Sequence, residues 1–600
     1  MNPTATPRQT WAMRYLLFIA GMGGLLYGID VGIIAGALPY LESTASVAWK
    51  LTAQQLGFIV AAVLLGSVLS SLFAGALAEW LGRRALMFVA GLCFSLSIPV
   101  IALAEGYTPL LLGRLLQGIS GGLIGVVVPL YLAESLSPHN RGRGTGLFQL
   151  LLTLGLVAAA LIGLVQAQQV EQAAAAAQAL GAGAEQALFA ARDHAWRSIF
   201  WTCLTPGLVF TVGSLLMSES PRWLLQRGRA EAALAALRRS RSDADAENEF
   251  AAMRAPSTSR ETQARSAQHP LLSRRYVVPF VLACLTLAFT QATGINSVLS
   301  YLVNILNQAG LPGSTANWAD VAIKLLNAGM TVLAVVLVDK RGRKFLLMLG
   351  SGGIAVSLAL AGLLFHSAES GRRDLRESVQ ALVQGDQLDL QLDAAQLARW
   401  QAAPDANGAL ALTMAYSYGD FTNVQTLRND DTGKARLHVQ RGDAVQADSV
   451  IGAFFRRLHL NPFADPAGAA TAPLHIEQAW LGPVPGSTHG WLVAACLFAM
   501  VAFFAVGPGV CVWLALSELM PMRIRSNGMS IALLINQFIS TTIAAIFLPT
   551  VGTQGYATMF FFWAGCSLLY FLTAAFLLPE TKGRSLEEIE AQFAGAATAR

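Results

Sequence analysis

The chain has 600 residues, of which 54% are hydrophobic and only 13% are charged. Soluble proteins carry about 25% charged residues, and a water-exposed surface of this size needs more ionic side chains than 41 basic and 36 acidic residues supply. This composition excludes a soluble multi-domain enzyme, and it excludes intrinsic disorder over most of the chain. It indicates a protein that crosses a membrane many times.

Apolar runs long enough to cross a bilayer, which takes about 20 predominantly apolar residues, recur along the whole chain. They lie near 15–39, 56–78, 86–104, 110–132, 145–165, 197–217, 276–306, 319–338, 345–365, 490–516, 527–550 and 557–578. The sequence therefore predicts an all-α polytopic membrane protein with twelve transmembrane spans, numbered here in chain order.

Basic residues predict the orientation of these spans. The net charge is only +5, and Lys and Arg occur in short clusters between apolar runs, which is typical of topology signals and not of nucleic-acid binding. Every even-numbered span is followed by basic residues, as at Arg83 and Arg84, Arg141 and Arg143, Lys340 to Lys344, Arg523 and Arg525, and Lys582 and Arg584. Because cytoplasmic loops are rich in Lys and Arg, we expect both termini in the cytoplasm and the chain in the cytoplasmic (inner) membrane.

Three local patterns occur twice and divide the chain into halves. They are Gly75–Arg84 with Val338–Lys344, Glu134–Arg141 with Glu518–Arg525, and Ser218–Arg222 with Pro579–Arg584. Each pair follows corresponding spans, which predicts two six-helix halves that form a parallel repeat. The predicted parts are an N-terminal half at 1–222, a cytoplasmic linker at 223–275, a C-terminal half at 276–365 and 490–578, and a cytoplasmic tail at 579–600.

Each half carries one insertion after an odd-numbered span, so both insertions are expected on the extracytoplasmic side. Residues 366–489, between spans 9 and 10, are polar and long enough for a small folded unit. They contain no motif that assigns them a function. Residues 167–195 are rich in Ala and Gln, which favour helix, and predict a helical extension of span 5.

Outside these insertions, an ordered series of motifs resembles the sugar porter family of the major facilitator superfamily. The motifs are Gly23–Asp30, Gly75–Arg84, Gly113-Arg114, Pro129–Glu134, Glu219–Leu224, Gln291–Asn296, Val338–Lys344, Gly507–Trp513 and Pro579–Arg584. The resemblance implies the major facilitator fold and secondary active transport of a monosaccharide or related polyol. It also implies co-transport of a proton, with alternating access between the two halves.

Asp30 and Arg114 are the predicted proton-coupling residues. Asp30 lies within span 1, where an unpaired carboxylate is costly, and this alone marks it as a functional candidate. Arg114, near the extracytoplasmic start of span 4, is its expected partner. In the family such an acid and arginine couple proton binding to transport. The alternative is a static structural salt bridge.

Six side chains within the spans are the predicted substrate ligands. By resemblance they are Gln149, Gln291, Asn296, Asn327, Trp513 and Asn536. An amide offers a donor and an acceptor to sugar hydroxyls, and an indole packs against the apolar face of a sugar ring. The alternative is that these amides hold one span to another by interhelical hydrogen bonds.

Several residues in the spans depart from the family pattern. Thr290 stands where a second glutamine is usual, Ile29 where a tyrosine is common, and Gln537 where a tryptophan often follows the asparagine. These differences leave the identity of the sugar or polyol open. Lys324, within span 8, is also unusual, and either an i,i+4 pair with Asp320 or snorkelling to the outer interface accounts for it.

Charged residues at the cytoplasmic ends of the spans form a predicted gate. They are Glu79, Arg83, Arg84, Glu134 and Arg141 in the first half, and Asp339, Arg343, Lys344, Glu518 and Arg525 in the second. Pairing across helix ends would hold the cytoplasmic side shut, and breaking the pairs would open it. The alternative is that the arginines serve orientation only, although the positive-inside rule needs no acids.

Two other functions suit the same fold: an uncoupled sugar facilitator, and a sugar sensor in which residues 366–489 serve as a sensing module. An enzyme is not expected, because the sequence contains no phosphate-binding loop, metal-ligand cluster or nucleophile constellation. No cofactor or metal is predicted. The expected partners are a small sugar, a proton and the lipid bilayer, and the sequence leaves the oligomeric state open.

Overall fold

The computed structural model describes residues 7–136, 138–178, 183–254, 274–311, 313–400, 409–429, 436–445, 466–520, 524–581 and 593. Within these ranges, twelve helical spans are long and apolar enough to cross a membrane, which confirms the predicted number. Spans 1 to 5 are the helices Pro7–Val47, Ala53–Leu81, Arg83–Ala102, Tyr107–Ser135 and Pro138–Gln178. Span 6 consists of two consecutive helices, Ala184–Thr202 and Leu204–Leu215.

The second half repeats this order of spans. Span 7 is Arg274–Ala292 and Ile295–Gln308, span 8 is Ser314–Arg341, span 9 is Arg343–Glu369, and span 10 is Ser487–Val506 and Pro508–Leu519. Span 11 is Arg525–Gln554, and span 12 is Tyr556–Leu572 with a π-helical turn at Thr573–Leu577. The linker between the halves contains the short helices Pro221–Gln226, Ala230–Arg238 and Asp243–Arg254.

Successive spans run in opposite directions, so the molecule has two faces. We call the face with the loops after even-numbered spans the basic face, because Arg83 and Arg343 begin spans 3 and 9 there. The opposite face, with the loops after odd-numbered spans, is the insertion face. The halves pack together through span 1 with span 7, span 2 with span 11, and span 5 with span 8.

The long insertion folds as a small β-rich unit on the insertion face. Its strands are β1 Arg373–Asp374, β2 Leu388–Gln391, β3 Leu410–Tyr418, β4 Phe421–Arg428, β5 Arg436–Val439 and β6 Leu474–Pro483. Four of them form an antiparallel sheet in the order β1-β6-β3-β4, and β2 pairs with β5. Short helices lie at Arg376–Gln380, Ala394–Arg399, Arg441–Ala444 and Pro466–Ala469. Leu412, Met414 and Ile476 are fully buried in a hydrophobic core of its own, so the unit has an independent source of stability.

The Ala/Gln-rich stretch 167–195 does not extend span 5 over its whole length. The helix of span 5 continues to Gln178, and a second helix begins at Ala184 and belongs to span 6. Only the first part of the stretch is therefore the helical extension that the sequence predicts. Gly183, whose φ of 116° suits glycine, immediately precedes the second helix.

Candidate functional site

Three of the predicted substrate ligands meet in one polar cluster in the second half. Gln291 Nε2 donates to Asn536 Oδ1 at 3.2 Å, and Asn296 Nδ2 donates to Gln291 Oε1 at 2.9 Å. Asn296 Nδ2 also donates to Ser540 Oγ at 2.8 Å. Asn536 Nδ2 donates to the backbone carbonyl of Leu287 in span 7 at 3.0 Å. The cluster thus joins spans 7 and 11 and offers amide and hydroxyl groups at one place.

A break in span 7 brings Gln291 and Asn296 together. The first helix of the span ends at Ala292, and the second begins after Gly294, which has φ 77°. A side chain at Gly294 is excluded, because a Cβ there would come within 2.4 Å of the indole ring of Trp563 in span 12. Irregular backbone is tolerated inside a membrane where it is buried in protein or lines a cavity. At the break, backbone and side-chain polar groups are therefore available to form hydrogen bonds with a ligand or with another span.

The other three predicted ligands are not hydrogen-bonded members of this cluster among the described side chains. Gln149 is exposed and Asn327 is half-buried. Among the described side chains, neither forms a hydrogen bond with the cluster. The side chain of Trp513 lies outside the described residues, so its predicted role stays a prediction.

Ser540 is a member of the cluster that the sequence interpretation missed. It lies four residues after Asn536 on the same helix, and both side chains are buried at 2% exposure. The i,i+4 spacing was the available signal, because residues four apart share one helix face. Thr290, in the position of the usual second glutamine, points elsewhere: its hydroxyl contacts Tyr570 Oη of span 12 at 3.0 Å.

Asp30 and Arg114 are both buried in the first half, at 1% exposure each. Neither carboxylate oxygen of Asp30 has a hydrogen-bond partner among the described groups. The carboxylate lies against span 4 at Gly121, where a Cβ would come within 2.6 Å of Oδ2. Asp30 is therefore a desolvated acid held against span 4 without a direct ion pair.

Arg114 carries the charge opposite to that of Asp30, but its side chain contacts Gln117 and Phe200 instead. It is the opposite charge that acts on Asp30, yet its Nη1 donates to Gln117 Oε1 at 2.6 Å. Its guanidinium lies over the ring of Phe200, 5.7 Å from the ring centroid. Asp30 and Arg114 are therefore not joined by a direct hydrogen bond in the structure, and their role in proton coupling stays a prediction.

At the basic face, Arg83 connects two of the predicted gate acids. Its Nη2 lies 2.7 Å from Glu79 Oε1 and 2.7 Å from Glu134 Oε1. Glu134 also accepts a hydrogen bond from the hydroxyl of Ser220. Arg84 donates instead to the backbone carbonyl of Leu215. These contacts tie spans 2, 3, 4 and 6 together and remain inside the first half.

Two glutamates outside the predicted gate cap the helices that carry it. Glu219 accepts from the backbone N–H groups of Arg83 and Arg84, at 2.9 and 3.2 Å. Glu580 accepts from those of Arg343 and Lys344, each at 3.1 Å. A carboxylate is favourable at a helix N-terminus because the first N–H groups there lack helical partners. Glu219 and Glu580, which occupy equivalent positions in the internal repeat of the sequence, therefore make the same capping contact in the two halves.

Five predicted gate or ligand side chains cannot be placed. Those of Arg141, Asp339, Trp513, Glu518 and Arg525 lie outside the described residues. The predicted pairing across the whole gate therefore stays a prediction. The two ion pairs of Arg83, with Glu79 and Glu134, join residues of the first half.

The insertion face, in contrast, has side-chain contacts between the halves. Asn304 Nδ2 of span 7 donates to Glu42 Oε1 of span 1 at 2.9 Å. Deeper in the bundle, Lys324 Nζ of span 8 lies 2.8 Å from Asp320 Oδ2 and 3.4 Å from the backbone carbonyl oxygen of Gly32 in span 1. Lys324 and Asp320 are fully buried. The i,i+4 pair is therefore present, and the alternative of snorkelling to the interface is wrong.

Comparisons with known proteins point to one family. The family model described as "Sugar (and other) transporter" matches residues 16–378 and 470–593. The glucose transporter GlcP of Staphylococcus epidermidis is 25% identical over 583 residues, covering 96% of this chain and 97% of that protein. The human proton myo-inositol cotransporter is 26% identical over 594 residues, covering 98% of this chain and 82% of that protein.

Solved structures of the same fold also match the chain over nearly its full length. The inward-open conformation of the xylose transporter XylE from E. coli gives a TM-score of 0.61 at 20% identity, covering 96% of this chain and 98% of that one. The proton:xylose symporter XylE bound to 6-bromo-6-deoxy-D-glucose gives 0.59 at 20% identity, covering 98% and 100%. The residues between the two parts of the family match, 379–469, all lie within the insertion.

Proposed function

Because the chain belongs to the sugar (and other) transporter family, the sugar porters of the major facilitator superfamily, we propose that it moves one monosaccharide or related polyol across the cytoplasmic membrane. The transport is secondary active sugar:proton symport by alternating access between the two halves. One relative in sequence is named a proton myo-inositol cotransporter, and one solved structure of the same fold is named a proton:xylose symporter.

The amide cluster of Gln291, Asn296 and Asn536 is the observation that carries the substrate part of this proposal. Amides bonded to one another are held in fixed orientations, which is the preorganisation that a small polar ligand needs. A sugar hydroxyl can take the place of one amide partner, because each amide has both donors and acceptors. Gln149, Asn327 and Trp513 would complete the site from neighbouring spans.

Asp30 supports the proton part. It is a buried acid without a hydrogen-bond partner among the described groups, and span 1 packs against the other half through span 7. A buried carboxylate strongly prefers the neutral, protonated form unless an opposite charge lies close. Arg114 is that charge, and its distance from Asp30 would change if span 4 moved against span 1. Proton uptake at Asp30 would then be coupled to the rearrangement of the helices.

The contacts at the two faces suit an alternating-access cycle. Asn304 with Glu42 joins the halves at the insertion face, whereas the described ion pairs of Arg83 stay within one half at the basic face. We assign the basic face to the cytoplasm, with both chain termini there, because its loops carry the Lys and Arg clusters. The gate residues would form contacts between halves when the cytoplasmic side closes.

Uptake by the purified full chain in liposomes tests this function. A panel of radiolabelled sugars and polyols, including D-glucose, D-xylose and myo-inositol, is offered with an inward-directed proton gradient. We expect one or a few members to accumulate above the outside concentration, and the accumulation to collapse when a protonophore is added. Uptake that only equilibrates would favour the uncoupled facilitator, and no uptake of any member would contradict sugar transport.

A further inference from the structure

A cavity of about 430 Å³ lies between the insertion and the ends of the spans on the insertion face. Its walls include Glu42 of span 1, Asn304 and Gln308 of span 7 and Tyr556 of span 12, together with residues of the β3–β4 hairpin and of β5. The volume falls within the range of about 300–1,000 Å³ that is typical of small-molecule pockets. The central cluster of Gln291 and Asn296 is not part of it.

The walls of this cavity carry amide and hydroxyl groups. Asn304 and Gln308 supply amides from the membrane helices, and Gln425 and Thr426 supply an amide and a hydroxyl from β4. Asn304 is 8% exposed, and its Oδ1 has no hydrogen-bond partner among the described groups, while its Nδ2 is occupied by Glu42. A buried acceptor without a partner is costly, so a donor from a ligand would satisfy it.

The charges around the cavity favour a neutral ligand. Arg436 is paired with Asp389 at 3.0 Å, and Arg372 lies 3.7 Å from Glu369. The other charged residues of the wall, Glu42 and Lys50, have opposite signs. No excess of one sign is left to select an anion or a cation, whereas amides, hydroxyls and the half-buried ring of Tyr556 suit a polyhydroxylated molecule.

We propose that this cavity is a second binding site, at the entrance on the insertion face, for a neutral monosaccharide or polyol. The proposal rests on the proposed sugar transport, because it takes the same class of solute as the substrate. The walls of the cavity contain residues of both halves, so the site is complete only while the halves are joined at the insertion face. A solute bound there contacts Asn304 and thereby favours the state in which that face is closed.

Binding stoichiometry of the full chain in lipid nanodiscs tests the second site. Equilibrium dialysis uses the radiolabelled solute that the liposome panel shows to be transported, out of D-glucose, D-xylose and myo-inositol. The central-site variant is Gln291→Ala/Asn296→Ala. The cavity variant is Gln308→Ala/Gln425→Ala, which removes two wall amides that are not fully buried. Gln425→Trp fills the same space in a second way, and Thr422→Ala, exposed on the same strand outside the cavity, is the matched control.

We expect two bound equivalents for the unmodified chain and for Thr422→Ala, and one remaining equivalent for the central-site variant. Either cavity variant should lower the affinity for the second bound solute at least about tenfold. Gln308→Ala/Gln425→Ala removes two hydrogen bonds to the solute, and Gln425→Trp fills the space that the solute would occupy. If the central-site variant binds none while the unmodified chain binds one, the second site does not exist, although sugar transport stands. If the panel shows no transport, the proposed function fails, and the second site fails with it.

Discussion

Asn304 of span 7 and Glu42 of span 1 are 262 positions apart in the chain, yet a 2.9 Å hydrogen bond joins them. The bond connects the two halves at the insertion face, and deeper within the bundle Lys324 of span 8 also reaches the backbone carbonyl of Gly32 in span 1. At the basic face, Arg83 bonds only within its own half among the described residues. Asn304 and Glu42 therefore join the two halves at the insertion face, which suits the alternating-access cycle proposed for the chain.

Substitutions in the amide cluster should weaken the apparent affinity for the transported sugar in a graded way. Ser540→Ala removes one hydrogen bond, worth about 1 kcal/mol, and should raise KM about fivefold. Asn296→Ala leaves Gln291 Oε1 and Ser540 Oγ without their donor and should raise KM at least about tenfold. Initial uptake rates in liposomes over a range of sugar concentrations measure both effects.

Thr542→Ala is the control for these two substitutions. Thr542 is exposed on the same helix as Ser540, and its hydroxyl bonds only to the backbone carbonyl of Phe538. Its removal should leave KM unchanged. Equal KM values for Ser540→Ala, Asn296→Ala and the control would show that the cluster binds spans together and does not contact the sugar.

The two carboxylate partners of Arg83 should differ in their contribution to stability. The side chain of Glu134 is 10% exposed and that of Glu79 is 59% exposed. Glu134→Gln should lower the free energy of unfolding by about 1.5–3 kcal/mol, because a charged hydrogen bond is lost at a buried site. Glu79→Gln should lower the free energy of unfolding by no more than about 1 kcal/mol, because an exposed ion pair contributes little to stability. Thermal unfolding in detergent measures the difference, and equal shifts in Tm for the two variants would contradict the assignment.

The buried pair in span 8 should respond more to the loss of one partner than to the loss of both. Lys324→Met leaves Asp320 as an unpaired carboxylate in a fully buried position, which should cost about 3–5 kcal/mol. Asp320→Asn/Lys324→Met removes both charges, and its unfolding free energy should lie closer to that of the unmodified chain. A double variant at least as unstable as the single one would show that the pair has no coupling energy.

Transport should survive removal of the β-rich insertion if the deletion spares one helix cap. Glu369, at the end of span 9, accepts from the backbone N–H groups of Tyr556 and Ala557 at the start of span 12, at 2.8 and 3.3 Å. Replacing residues 373–484 with a short flexible linker retains this contact. Uptake by the folded variant should remain measurable, because the amide cluster and Asp30 lie in the spans. Loss of uptake by a correctly folded variant would assign the insertion an essential role.

The parts of the fold that depend on local sequence were predictable, and the parts that depend on distant contacts were not. The spans follow from the length of apolar runs. Gln291, Asn296 and Asn536 were predicted by resemblance to the family, and their side chains do converge. Ser540 was missed, because a serine in a membrane helix is common and only its spacing from Asn536 singled it out. The position of Asp30 within span 1 was predictable from the sequence. Its carboxylate lies against Gly121 and forms no ion pair with Arg114, and this arrangement depends on how spans 1 and 4 pack.

The structure of the insertion shows the same limit. Residues 388–391 alternate between apolar and polar side chains, as a half-buried strand does. The pairing of β6 with both β1 and β3 joins residues far apart in the chain, so periodicity alone could not predict it. The contact of Asn304 with Glu42 was unpredictable for the same reason.

If Asp30 couples proton entry to sugar transport, Asp30→Asn should separate the two processes. Asparagine has nearly the same shape as aspartate but cannot take up and release a proton. In liposomes with an inward-directed proton gradient, the unmodified chain and the exposed-site control Glu185→Gln should accumulate the sugar. Asp30→Asn should not accumulate it, yet should still exchange labelled for unlabelled sugar in counterflow. Gradient-driven accumulation by Asp30→Asn at the level of the unmodified chain would show that Asp30 does not couple the proton to the sugar.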